Sequence, residues 1–241
     1  EINEAEVPIK ILRYGLAPNS GGAGKHRGGL ATEMRFQAQA PNTKVTARNR
    51  DRTRFRSWGV LEGKAGTNSA FLLNPDSNHT VNLGNTDILT IGPGDVVHVA
   101  AGGSGGWGNP LERNPDDVVQ DVKCGFVTPE SARDTYGVVL ENGSHNPTET
   151  QRLRDTLISN RENGEAFFDY GPERDKFESV WTNENYTALS DLLDDLPIHW
   201  RFFMKHRIFE AVADDPDGGS IRDRFAKIVE EFPELSRGLA S

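Results

Sequence analysis

The chain has 241 residues, a net charge of −9 at pH 7 and a hydrophobic content of 35%. The acidic balance argues against a surface for nucleic acids or anionic membranes. No stretch approaches the roughly 20 apolar residues of a membrane-spanning helix, and the first residues do not resemble a secretion signal. The single cysteine, Cys124, excludes an internal disulfide and fits a reducing compartment. We therefore expect a cytoplasmic protein without nucleic-acid or membrane partners, in which Cys124 is buried.

The first hundred residues have the pattern of a β-rich segment. Short apolar or alternating runs are separated by Gly, Asn, Pro and Asp. Runs of this length and spacing are typical of strands that are mostly antiparallel. The predicted strands are residues 9–14, 31–36, 44–48, 69–73, 88–91 and 96–99.

A local basic run stands out in this acidic chain. Its members occupy alternate positions, which would place them on one face of a strand. They are Arg48, Arg50, Arg52, Arg54 and Arg56. Because charge commonly protects strand edges, we interpret the run as a solvated edge or a subunit contact rather than a phosphate or carboxylate site.

After Pro110 the pattern changes to helix. Three residues of capping type, Asn114, Thr128 and Asn146, each precede a proline. Proline at the first helical position loses only an amide that has no partner there. The predicted helices are residues 115–125, 128–140, 148–163, 185–196, 197–213 and 220–232.

The last predicted helix carries an apolar stripe, formed by Ile221, Phe225, Ile228, Val229 and Phe232. We expect this stripe to pack on the preceding helix, whose apolar residues Trp200, Met204 and Ile208 recur every four positions.

The whole pattern predicts an α+β fold, with an antiparallel β-rich N-terminal segment followed by a helical C-terminal segment. We divide it into a β-rich glycine-loop segment (1–112), a helical segment packing on it (113–165) and a helical assembly tail (166–241).

Two glycine-rich loops are the main candidates for function. They read Asn-Ser-Gly-Gly-Ala-Gly-Lys-His-Arg-Gly-Gly (residues 19–29) and Gly-Gly-Ser-Gly-Gly-Trp-Gly-Asn-Pro (residues 102–110). Successive N–H groups in glycine turns can form concave anion sites. The candidate substrate- or phosphate-binding residues are Ser20, Gly21, Gly22, Arg27, Gly28, Gly102, Gly103, Ser104, Gly105, Gly106 and Trp107. The alternative is that these glycines only allow tight turns and close packing at a seam between subunits.

Other kinds of site find little support. The six histidines include no pair at metal-ligand spacing on a helix, so we predict no metal site; His98, beside the second loop, is the one we retain as a candidate ligand or base. Ser104 lies in a Gly-x-Ser-x-Gly sequence, which matches the nucleophile-elbow motif, but no helix begins directly after it. Gly24-Lys25 is followed by His26, so a phosphate loop of the Gly-Lys-Ser/Thr type is missing.

Several motifs occur here in the order found in one family. They are residues 19–29, 54–59 with 63–66, 94–97, 102–110 and 136–140. The chain resembles, over about residues 7–141, the hydantoinase B/oxoprolinase family, the second component of ATP-dependent cyclic-amide hydrolases and of acetone and acetophenone carboxylases. It is similar only to the C-terminal part of such a subunit. The N-terminal part, with an Asn-Asp-Pro element and His/Asp motifs associated with metal binding, has no counterpart in this sequence.

The resemblance implies part of a B-type subunit that opens a hydantoin, oxoproline or lactam ring through a phosphorylated intermediate. It implies two partners, an A-type ATP-binding subunit and the missing N-terminal half, in a hetero-oligomer without which the chain is inactive. ATP and a divalent metal would be bound by the other chains and none by this one. The alternatives are a ketone carboxylase of the same family and a non-catalytic assembly subunit.

Overall fold

The computed structural model describes residues 2–47, 52–160, 167–232 and 234. The chain divides into two compact units, Glu1–Glu173 and Arg174–Ser241. The strands lie in the first unit, whereas the second is helical. The predicted α+β class is therefore confirmed, while the roles assigned to the three sequence segments stay predictions.

Antiparallel pairing dominates the first unit, as predicted. The strands within the described residues are β1 (Ile9–Leu16), β2 (Thr32–Ala38), β3 (Thr43–Thr46), β4 (Gly59–Val60), β5 (Ala70–Leu73), β6 (Val81–Asn82), β7 (Ile88–Ile91), β8 (Val96–Ala100), β9 (Leu140–Glu141), β10 (Ser144–His145) and β11 (Phe168–Asp169). Five of them form a sheet in the order β1-β2-β8-β5-β6. The others form the pairs β3-β7, β9-β10 and β4-β11.

The core of the sheet follows from strand alternation. Phe36 of β2 lies opposite Val97 of β8, and Phe71 of β5 lies opposite Val99 of the same strand. Residues opposite each other in an antiparallel pair share a face, so these side chains form one apolar surface. Ile91 of β7 joins it, and the cluster is buried.

Four described helices lie within the first unit, and the last three begin where the cap–proline pairs predict. They are α1 (Ile2–Glu6), α2 (Pro115–Lys123), α3 (Pro129–Asp134) and α4 (Pro147–Ser159), with a short 3₁₀ helix at Pro110–Glu112. The side chains of Asn114, Thr128 and Asn146 each accept a hydrogen bond from an amide of the first turn. All three predicted caps are confirmed.

Two predicted helix ends are wrong or lie outside the described residues. Helix α3 stops at Asp134 and not at residue 140, because Gly137 takes a left-handed conformation (φ +61°) that ends the helical path. Leu140 then belongs to β9. Helix α4 ends at Ser159, and the predicted end at residue 163 lies outside the described residues.

Two further expectations are corrected. Cys124 is exposed rather than buried, because it follows α2 as its C-terminal cap at the surface. In the basic run, Arg48 and Arg50 lie outside the described residues, and residues 52–56 do not form a strand. Instead, Arg56 makes a two-pronged ion pair with Glu173, which holds the pKa of that carboxyl below its usual range.

Helices α5 (Pro172–Val180), α6 (Asn183–Asp194), α7 (Ile198–Asp214) and α8 (Ile221–Glu231) follow. The predicted packing of the last two is confirmed, since Met204 and Ile208 of α7 and Ile221 and Ile228 of α8 are buried in one cluster. Ser220 caps α8 in a reciprocal capping box with Asp223, whose pKa its hydrogen bonds lower. None of the described helices is long and apolar enough to cross a bilayer.

A buried arginine closes the end of α7. Arg224 is 6% exposed, and its guanidinium donates to the carbonyl oxygens of Ala211 (2.6 Å), Asp215 (2.5 Å) and Gly219 (3.2 Å). Carbonyl oxygens at a helix C-terminus carry the negative end of the helix dipole and favour a cation. Arg224 therefore ties α8 to the end of α7.

Replacing Arg224 with lysine should lower the free energy of unfolding by about 2 kcal/mol, because one ammonium cannot reproduce the forked contacts. Urea unfolding followed by circular dichroism measures the loss. The matched control is Arg222→Lys on the same helix, where the side chain is 62% exposed, and a change within about 0.5 kcal/mol is expected there. Equal effects of the two variants would contradict the assigned role.

Candidate functional site

The glycine-rich loops interlock with a third segment to form what we call the glycine cluster, residues 20–29, 57–66 and 102–108. Gly22 N donates to Ser104 O (2.8 Å), and His26 and Trp107 exchange hydrogen bonds of 2.9 and 3.0 Å. The middle segment joins through Gly106 N to Lys64 O (2.9 Å). Three stretches distant in sequence are thus held together by their backbones.

The cluster depends on glycine because the chains approach too closely for a side chain. A Cβ at Gly103 would lie 1.8 Å from Ser20 O, and one at Gly105 would lie 1.8 Å from Trp58 O. At Gly28 the nearest atom would be Ser104 O, at 2.1 Å. Each contact is with backbone, which cannot rotate aside. Close approach of backbones explains the glycine density that the sequence displays.

We expect Gly105→Ala to lower the free energy of unfolding by about 3 kcal/mol, because the added methyl group forces the backbone at Trp58 to move. Thermal and urea unfolding of the full chain measure it. Gly15→Ala is the control, since a Cβ there meets no atom within 4 Å, and its effect should stay within about 1 kcal/mol. If Gly105→Ala were as stable as the control, the cluster would accommodate the methyl group and the requirement for glycine at this position would be contradicted.

Many of the candidate amides are already used inside the cluster. Donors to backbone carbonyls are the N–H groups of Gly22, Gly28, Gly103, Ser104, Gly106 and Trp107. The Ser20 hydroxyl is likewise engaged, with Ala17 O and Ala31 N. Within the part of the chain that the structure describes, the amides of Gly21, Gly102 and Gly105 have no such partner. The predicted anion-binding role of the loops stays a prediction, and these three amides are its available donors.

Arg27 joins the first loop to helix α2. Its guanidinium makes two contacts with the Asp121 carboxylate, at 3.1 and 3.2 Å, and donates to Gly28 O at 2.8 Å. Arg113 reaches the same carboxylate at 2.9 Å. All three side chains are largely buried. One carboxylate between two guanidiniums leaves a net positive charge beneath the loop, and sequence reasoning did not identify Asp121 or Arg113.

Removal of the shared carboxylate should therefore be costly. We expect Asp121→Asn to lower the free energy of unfolding by about 3 kcal/mol, because two buried guanidiniums then repel each other without compensation. Asp117→Asn, one turn earlier on α2 and exposed, should change it by no more than about 0.5 kcal/mol. Chemical denaturation of both variants tests the difference, and a similar result for the two would remove Asp121 from this role.

His98 lies on β8, as predicted, and contacts a buried carboxylate. Its Nε2 is 3.2 Å from Glu33 Oε2, and Arg13 donates to the other oxygen of Glu33. His98 Nδ1 is buried and has no hydrogen-bond partner among the described residues. Sequence reasoning missed Glu33, because one acidic residue in an alternating strand carries no signal of its own.

Two cavities border the glycine cluster. The larger, of about 660 Å³, lies against the apolar face of the sheet, where Phe36, Phe71 and Gly102 contribute to its wall. The smaller, of about 240 Å³, is lined by Gly21 and Gly22 of the first loop and by Tyr136 after α3. The structure thus places only part of the candidate set, from both loops, at open cavities. Among the described residues, no group of three His, Cys, Asp or Glu side chains could hold a metal ion.

Comparison with known proteins identifies the segment that builds this cluster. Residues 1–110 match the model of the family described as hydantoinase B/oxoprolinase. Over this range the chain is similar to that family. All three segments of the glycine cluster lie within the matched range. The similarity to the family therefore includes the whole glycine cluster.

Similar proteins include an uncharacterized protein of Methanocaldococcus jannaschii, 34% identical over 58% of this chain and 24% of that protein. The caprolactamase subunit beta of Pseudomonas jessenii is 33% identical over 64% of this chain and 27% of that protein. A crystal structure of ATP-dependent caprolactamase from Pseudomonas jessenii aligns with a TM-score of 0.47 and 26% identity, over 63% of this chain and 27% of that chain. The chain thus spans about a quarter of the length of these two relatives.

Proposed function

We propose that this chain is part of the B-type subunit of an ATP-dependent enzyme that hydrolyses a cyclic amide. The observation that carries the proposal is the family match over residues 1–110, which contain the whole glycine cluster. The similarity to a caprolactamase subunit beta supports a lactam as the type of substrate. We assign ring opening rather than ketone carboxylation on this ground.

The proposed chemistry explains the need for ATP. An unstrained amide resists water because resonance lowers its electrophilicity and the leaving amine is poor. Phosphorylation of the carbonyl oxygen yields an activated imidate that water can attack. We propose that an A-type partner binds ATP with a divalent metal and makes this species. The B-type subunit then converts this activated imidate to the ring-opened product. The rigid glycine cluster of this chain forms part of the wall of the cavity in which that step takes place.

The proposed partners have a candidate contact surface, which we call the aromatic patch: Trp58, Phe167, Phe168 and Tyr170. All four side chains are exposed. Trp58 and Phe168 lie 6.3 and 5.6 Å from Tyr170, measured between ring centroids. Aromatic residues are enriched where protein surfaces meet. Since the chain spans only a quarter of its relatives, we propose that the missing N-terminal half of the B-type subunit covers this patch.

The assembly alternative retains a specific observation in its favour. The amides of the glycine cluster are largely paired with one another, which a purely structural role would require. In that case the chain would hold other subunits together and contribute no group to the reaction. The two functions differ in whether the cluster's free amides matter for turnover once assembly is intact.

We expect co-expression with an A-type subunit and an N-terminal B-type chain to give one complex by native mass spectrometry. That complex should open caprolactam, hydantoin or 5-oxoproline in an ATP-dependent manner, as followed by release of ADP and of the ring-opened product. Acetone with bicarbonate is the parallel assay, and carboxylation there without ring opening would select the carboxylase. A chain that binds neither partner contradicts the proposal.

A further inference from the structure

The smaller cavity combines several hydrogen-bonding groups that the protein itself does not use. It is walled by the first glycine loop, by Lys64 and Ala65 of the middle segment, and by the end of α3. The hydroxyls of Ser131, Thr135 and Tyr136 and the Lys64 ammonium have no hydrogen-bond partner within the described residues. The Gly21 amide is free in the same sense. Five residues that line one cavity, from three segments, therefore each carry a polar group without a partner among the described residues.

The electrostatic balance at this cavity favours an anion. Lys64 contributes a positive charge from an exposed position. Beneath the wall, Arg27 and Arg113 share the single carboxylate of Asp121. Coulomb interactions connect both guanidiniums and, with the opposite sign, the Asp121 carboxylate to the phenol of Tyr136. Together with the Asp169 carboxylate behind Ala65, these groups leave a net positive charge.

The acidic groups at the cavity are either paired or held by amides. Asp169, whose carboxylate reaches the wall, accepts hydrogen bonds from the amides of Ala65 (3.0 Å) and Gly171 (2.9 Å). Asp121 is bound by its two arginines. Burial raises the pKa of Tyr136 to about 12, so its hydroxyl stays protonated and remains a donor at neutral pH.

The size and walls of the cavity restrict the ligand. A volume of about 240 Å³ lies below the 300–1,000 Å³ that is common for drug-sized ligands. Ala23, Ala65 and Val127 give it apolar surface beside the donors. An acid with a short carbon chain matches both features, because its carboxylate accepts from several donors and its methylenes contact the apolar walls.

We infer that the cavity between the first glycine loop and α3 is a binding pocket for a small organic carboxylate, held by Lys64, Ser131, Thr135, Tyr136 and the Gly21 amide. The pocket lies entirely within the first compact unit. Its occupancy does not depend on the proposed amide hydrolysis, so the two can fail separately.

The test is a titration of the full chain with sodium butyrate, followed by ¹H–¹⁵N correlation spectra. Saturable shifts are expected for the amides of Gly21, Ala65 and Tyr136. Butyramide, which has the same size without the charge, should bind at least tenfold more weakly. Inorganic phosphate is the third probe, and tighter binding of phosphate than of butyrate would overturn the assignment to a carboxylate.

Two variants locate the site. Lys64→Gln and Tyr136→Phe should each raise the dissociation constant for butyrate about tenfold, as expected for loss of a hydrogen bond to a charged group. Lys44→Gln is the control for loss of one positive charge, since Lys44 lies on β3 and is exposed. This variant should leave the dissociation constant for butyrate unchanged. Because Lys64 is exposed, the Lys64→Gln protein should fold normally even if the Tyr136→Phe protein does not. Equal binding of butyrate and butyramide, or unchanged affinity in Lys64→Gln, would overturn the inference.

Discussion

The interlocked backbones of the glycine cluster are the constraint on which the rest of the first unit depends. The first loop leads into β2, the last follows β8, and the middle one connects β4 to β5. Asn19, at the edge of the cluster, binds both Phe126 and Thr128 between the helices. Ala23 packs against the apolar residues of α2 and α3. The close approach that glycine permits thus fixes the loops, and Asn19 and Ala23 connect the loops to the helices.

In this arrangement the backbone amides stabilise the loops, and the side chains at the border supply polar groups for a ligand. A dense network of paired amides resists deformation, but it leaves few donors for a ligand. The groups that remain free lie at the border of the cluster, where Lys64 and Tyr136 line a cavity. Proteins commonly hold ligand-binding groups in place by attaching them to a rigid neighbouring structure. Most amides of the glycine cluster therefore serve the architecture of the loops, and the predicted anion-binding role rests on the few that stay free.

The sequence predicted the elements whose signals are local and failed where contacts are distant. Cap–proline pairs at Asn114, Thr128 and Asn146 set the helix starts, because the signal and the structure occupy the same residues. The two-residue strand β4 escaped notice because its pairing with β11 joins residues more than a hundred positions apart. The density of glycine marks the two loops in the sequence, but it does not predict their mutual hydrogen bonds, since no pattern in one loop specifies the backbone of another.

Arg27 has a structural role that its position in a glycine loop does not reveal. A basic residue in a glycine loop suggests direct contact with an anion, yet its guanidinium is committed to Asp121 through two contacts. That commitment does not cancel its electrostatic effect, because Arg113 shares the same carboxylate and one positive charge remains. A charge buried under a loop acts on the neighbouring cavity through a medium of low polarity, where it is screened less than at the surface. Arg27 thus favours an anion by its field while holding the loop by its hydrogen bonds.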